Sequence, residues 1–95
     1  MAAKVCAVIG VGPGIGSAVS KKFAKEGYSV AMLARKMESL EPVETEIKQL
    51  FPQSKILSVT ADATNENEMK QAFTMIKNTL GSVNVLVFNA GAFKM

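Results

Sequence analysis

The chain has 95 residues, 48% of them hydrophobic and 20% charged, and a formal net charge of +3. That suffices for one domain, is too apolar for a disordered chain, and is too weakly basic for nucleic acid to be the expected partner, since no cationic run exceeds two residues. With no histidine and one cysteine the usual zinc ligands are missing, no signal-peptide pattern precedes the first apolar stretch, and no apolar run approaches a membrane span, so the cytosol is the expected compartment.

Lys4 to Ile9 reads as a strand, apolar on both faces as a strand between two helix layers must be. Its lone cysteine, Cys6, is expected to act as a small buried hydrophobe. The stretch Ile9 to Ala18, I-G-V-G-P-G-I-G-S-A, carries Gly10, Gly12, Gly14 and Gly16, four of the seven glycines. Ile15 to Glu26 then reads as an amphipathic helix closed by Gly27. Its expected buried stripe is Ile15, Ala18, Val19, Phe23 and Ala24, with Ala18 small where the helix must approach the sheet. A strand, a glycine turn and a helix start together make a phosphate-binding arrangement. Glycine permits the dihedrals and the close approach, and the first helical turn offers unpaired N–H groups and a partial positive charge. A diphosphate-bearing nucleotide is the expected occupant.

Tyr28 to Ala34 is a second strand, with Arg35 and Lys36 at its end. Met37 to Leu50 reads as a helix with Leu40, Val43, Ile47 and Leu50 on one face, and Pro42 at or near its first turn, where a missing N–H costs little. Lys55 to Thr60 is a third strand, followed by Asp62-Ala63-Thr64. Asn65 and Glu68 have capping-box spacing, and Met69, Ala72, Phe73, Ile76 and Leu80 recur at helical spacing up to Gly81. Val83 to Phe88 is a fourth strand, followed by Asn89-Ala90-Gly91. The β-α-β-α-β-α-β alternation predicts a parallel sheet with right-handed crossovers. Each of these polar or glycine clusters follows a strand, which places them together on the carboxyl edge where such sheets bind ligands.

The glycine spacing discriminates among phosphate loops. A G-x-G-x-x-G pattern from Gly10 meets Ile15 at its last position, and from Gly12 it meets Ser17. No Gly-Lys pair exists for a Walker loop. G-x-x-x-G-x-G fits Gly10, Gly14 and Gly16 with Ile15 between the last two, and here the chain resembles the short-chain dehydrogenase/reductase family. Asp62-Ala63-Thr64 and Asn89-Ala90-Gly91 resemble two further motifs of that family, in the right order, so the likeness runs over essentially the whole chain.

The resemblance implies a Rossmann-like α/β fold: a doubly wound parallel sheet in three α/β/α layers, with strand order 3-2-1-4. It implies a nicotinamide dinucleotide held by Gly10, Gly12, Pro13, Gly14, Ile15 and Gly16, with Asp62 and Ala63 at the adenine and Asn89, Ala90 and Gly91 near the ribose. An NAD site of this kind has an acid at the end of the second strand. This chain has Arg35 and Lys36 there and no acid before Glu38, which favours NADP over NAD through the 2′-phosphate.

The chain departs from the family in places. Ile9 stands where the family has threonine, and Pro13 removes one N–H from the cradle. The family's serine and Tyr-x-x-x-Lys lie beyond its fourth strand. The only tyrosine here is Tyr28, and position 32 is methionine, so no catalytic residue is assigned. The chain is therefore expected to be a partial NAD(P)-binding Rossmann domain spanning residues 1–95. It would be the cofactor-binding half of an NADP-dependent oxidoreductase acting on a small carbonyl or alcohol, or the product of a truncated transcript or gene model. A non-catalytic NADP-binding module, or a remnant associating through an exposed fourth strand, is the alternative.

Overall fold

The computed structural model describes residues 3–11 and 14–88. Seven elements follow in order: β1 (Val5–Ile9), α1 (Ile15–Lys25), β2 (Ser29–Ala34), α2 (Met37–Leu50), β3 (Ile56–Thr60), α3 (Glu66–Thr79) and β4 (Val83–Phe88). All strand pairs are parallel and the sheet order is β3-β2-β1-β4. The expected alternation and strand order are both present.

The two faces of the sheet build two cores. Cys6 and Val8 of β1 and Val30 and Met32 of β2 pack against Ala24 of α1 and Leu40, Val43 and Ile47 of α2. Val5, Ala7 and Ile9 of β1, Ala31 and Leu33 of β2 and Val59 of β3 pack against Ala72 and Ile76 of α3. Helices α1 and α2 therefore cover one face and α3 the other, making three layers. An alanine in place of Leu40, Ile47 or Ile76, each fully buried, would remove about 2–5 kcal/mol of stability. Outside the cores, Lys21 of α1 meets Glu46 of α2 at 2.8 Å, an exposed pair of small energetic weight. Hydrogen bonds from Lys48 and Ser58 hold the Glu44 carboxyl below its ordinary pKa, and the one from Ser58 ties α2 to β3.

Helix α1 is rotated relative to its expected stripe. Its buried residues are Gly16, Ser17, Ser20 and Ala24, while Ile15 is 70% exposed and Ala18 is exposed. Val19 and Phe23 flank the buried line and are partly covered. The physical reason is close approach: the smallest residues of the helix, not its largest apolar ones, face the sheet. Ser20 is admitted to the core because its hydroxyl donates to the Gly16 carbonyl at 2.8 Å, so no polar group is left unpaired.

One further expectation shifts: Leu50, the last residue of α2, is 55% exposed rather than on the buried face. Pro42 sits early in α2, as expected, but as its sixth residue, past the first turn, so the carbonyl of Glu38 has no amide four residues on to accept from. On β4 the pairing slips between Val5 and Cys6: Val5 opposes Val83 and Cys6 opposes Val85, leaving Asn84 as an extra residue. The Asn84 side chain accepts from the Val5 amide at 2.8 Å. The slip puts Val83 with the α3 core and Val85 and Val87 with the α1–α2 core. Leu86 and Phe88, on the edge strand β4, stay 54% and 57% exposed.

Two outcomes follow from this packing. Ser20→Leu lowers stability by about 1–3 kcal/mol through overpacking, whereas Ala18→Leu changes it by less than about 0.5 kcal/mol, both read from urea midpoints. Burial pushes the Cys6 thiol from 9.0 up to about 11. It is therefore inert to thiol reagents at neutral pH until the chain unfolds, and labelling with and without denaturant checks this. Because the unfolded chain releases that proton first, stability also falls as pH rises from 9.0 toward about 11.

Candidate functional site

The connection from β1 to α1 is fixed to the neighbouring strand. Gly10 has φ +90°, which glycine adopts without strain. Its amide donates to the Leu33 carbonyl at 2.8 Å, and the amide of Val11 donates to the same oxygen at 3.0 Å. Val11 is buried and turns the loop back onto the sheet. Gly14 then begins α1 with φ +112° and ψ −132°. Among the described residues nothing lies within 4 Å of where a Cβ at Gly14 would stand, so they leave the space beside it open. No side chain caps α1 and no acid lies in its first turn. The positive end of the helix is thus presented beside open space, an arrangement suited to an anion.

The ends of β2 and β3 supply the charged groups. Arg35 follows β2 directly and is exposed; Lys36 is exposed at the N-cap of α2. Among the described residues neither side chain makes an ion pair or hydrogen bond. The Ala61 amide donates to the Ala34 carbonyl at 2.9 Å, so β3 leaves the sheet beside Arg35. The next residue, Asp62, is tightly held. Its Oδ1 accepts from the Thr64 amide at 2.9 Å and from the Thr64 hydroxyl at 2.7 Å. Its carbonyl accepts from the Asn65 amide at 2.9 Å, and its own amide donates to Glu68 Oε1 at 2.9 Å. The two bonds from Thr64, helped by the positive charge of Arg35, hold the Asp62 carboxyl below its ordinary pKa.

The sheet order puts β2 between β1 and β3, so Arg35 stands between the glycine turn and Asp62. Gly10, Gly14, Ile15, Gly16, Arg35, Lys36 and Asp62 all lie at the carboxyl edge. Within that group their parts differ. The Gly10 amide is taken by Leu33, Gly16 is buried in the first turn of α1, and the neighbouring Ala63 packs against the α3 core. Gly12, Pro13, Asn89, Ala90 and Gly91 lie outside the described residues. The winding reverses between β1 and β4, since α1 leaves β1 toward one face and α3 enters β4 from the other. Tyr28 sits at the opposite edge, its ring in edge contact with Phe23 at 4.9 Å between centroids.

One participant went unnoticed in the sequence and another was given a different part. Val11 is the anchor of the loop, and an apolar residue inside a glycine run was its signal. Glu68 was read as half of a capping box with Asn65. Asn65 Oδ1 does accept from the Glu68 amide at 3.0 Å, but the Glu68 carboxylate reaches past Asn65 to Asp62. Thr64→Val removes the strongest hold on the Asp62 carboxyl and raises its pKa toward the ordinary value, and Arg35→Gln raises it less. A carboxylate NMR titration reads both.

With this geometry in place, the likenesses to known proteins have a definite location. A family model described as short chain dehydrogenase matches residues 4–95. Carbonyl reductase family member 4 of Xenopus laevis is 41% identical over 88 residues, which are 93% of this chain and 35% of that protein. A 3-oxoacyl-[acyl-carrier-protein] reductase of Bos taurus is 35% identical over the same shares of both chains. Among solved structures, L-sorbose reductase from Gluconobacter frateurii, complexed with NADPH and L-sorbose, superposes with a TM-score of 0.88 at 28% identity. That match covers 99% of this chain and 35% of the reductase. The chain thus spans about a third of the length of the curated relatives it matches. The match along nearly the whole chain, the parallel 3-2-1-4 sheet and the glycine turn at its edge agree: this chain belongs to the short-chain dehydrogenase family of oxidoreductases.

Proposed function

We propose that this chain is the cofactor-holding part of an NADP-dependent oxidoreductase that interconverts a small carbonyl compound and its alcohol. The observation that carries the choice of NADP is Arg35. It occupies the end of β2, where an acid would receive the ribose hydroxyls of NAD, and its guanidinium is exposed with no ion pair among the described residues. A planar cation there matches a 2′-phosphate, and Lys36 adds a second positive charge.

The remaining residues divide the dinucleotide between them. The open space at Gly14 and the uncapped start of α1 receive the diphosphate. Ile15, exposed beside that turn, offers an apolar surface to the bound ligand, and Gly16 lets the helix start lie close to the sheet. Gly12 and Pro13 complete the loop. Asp62, its Oδ1 satisfied by Thr64, keeps Oδ2 as an acceptor for the adenine. Asn89, Ala90 and Gly91 border the ribose past β4. When bound, the cofactor supplies or takes up the hydride. The acid–base residues and the substrate pocket belong to sequence other than residues 1–95, as the span of the relatives suggests.

Isothermal titration of the full-length protein tests this reading. Arg35→Glu weakens NADP binding at least about tenfold, the scale of one lost charge-assisted contact, and leaves NAD binding equal or tighter, because the new acid can accept from the ribose hydroxyls. Equal NADP affinity with and without the substitution would overturn the assignment.

A further inference from the structure

Asp62 is held by two kinds of contact. Those from Thr64 and Asn65 come from the turn itself, within three residues, and move with it. Among the described residues, the one hydrogen bond to Asp62 from outside the turn is that of the Glu68 carboxylate, one turn into α3, accepting from the Asp62 amide at 2.9 Å. In a closed capping box that carboxylate would accept from the Asn65 amide. Here the Asn65 amide already donates to the Asp62 carbonyl, which leaves Glu68 available for Asp62. Helix α3 keeps its side-chain cap through Asn65 Oδ1, so the bond from Glu68 to Asp62 is not needed to cap the helix.

We propose that Glu68 is a positioning residue for the adenosine end of the nucleotide. It fixes the backbone of Asp62 to the rigid body of α3, and Asp62 in turn presents Oδ2 to the adenine. The inference rests on the cofactor reading above. α3 is seated on the sheet by the fully buried Ile76, so a tie to α3 refers the Asp62 loop to the same frame as the glycine turn. A loop residue ordered before the ligand arrives has less freedom to lose on binding, which appears as affinity.

The test is titration of the full-length protein with 2′,5′-ADP, which carries the adenine and the 2′-phosphate without the nicotinamide. Glu68→Ala weakens binding about tenfold, and Glu68→Gln, whose amide oxygen still accepts from Asp62, stays within about twofold of the original. Glu66→Ala is the control: it removes an acid from the same first turn of α3, leaves the Asp62 amide paired, and keeps full affinity. Equal affinity for Glu68→Ala and the unsubstituted protein overturns the positioning role and leaves the cofactor reading standing. Equal losses for Glu66→Ala and Glu68→Ala also overturn it, because helix-end charge would then explain both. Failure of the unsubstituted protein to bind removes the cofactor reading and this inference with it.

Discussion

The structure depends on one constraint: β1 and β2 are apolar on both faces. Every residue of β1 is buried, and Val30, Ala31, Met32 and Leu33 of β2 are sealed between layers. A strand of that kind cannot face water on either side, so helices must cover both surfaces. Parallel pairing follows, because each strand returns through a helix crossing over a face. Once both faces are sealed, polar chemistry has only the strand ends left to occupy. The glycine turn, Arg35 and Asp62 meet at one edge because the two central strands leave only their ends for polar groups.

This explains why the fold was legible in the sequence. Two-sided apolar runs and one-sided helical stripes are strong periodic signals, and they survive without knowledge of the partners. The limits of α2 and β4 could be read to the residue. What escaped was the face of α1. The expected stripe ranked residues by hydrophobicity, but the contact with the sheet selects by size, and serine satisfies both size and polarity through its own helix. No periodic pattern separates Ser20 in a core from Ser20 in water. The slip at Asn84 escaped because a run of apolar residues marks a strand without marking its register, which only the pairing of Val5 with Val83 and Cys6 with Val85 reveals.

The site was legible in outline. Strand-end placement found the residues, since any cluster following a strand of a parallel sheet reaches the same edge. The parts they play were less visible. Gly10 contributes a backbone turn while its amide is engaged by β2, Gly16 and Ala63 serve packing, and the Glu68 side chain leaves the helix cap for Asp62. These roles are set by which hydrogen-bond partner lies closest in three dimensions. Local spacing carries no record of that choice.

The Leu33 carbonyl has a wider consequence. One oxygen on β2 fixes Gly10 and Val11, and two residues further along the same strand the chain reaches Arg35. The turn that would face the diphosphate and the cation that would face the ribose phosphate are therefore read from a single datum, like the two jaws of a caliper mounted on one bar. Their separation is set by β2, on which both are mounted. Under the proposed cofactor reading, that fixed opening would gauge the distance from the diphosphate to the 2′-phosphate.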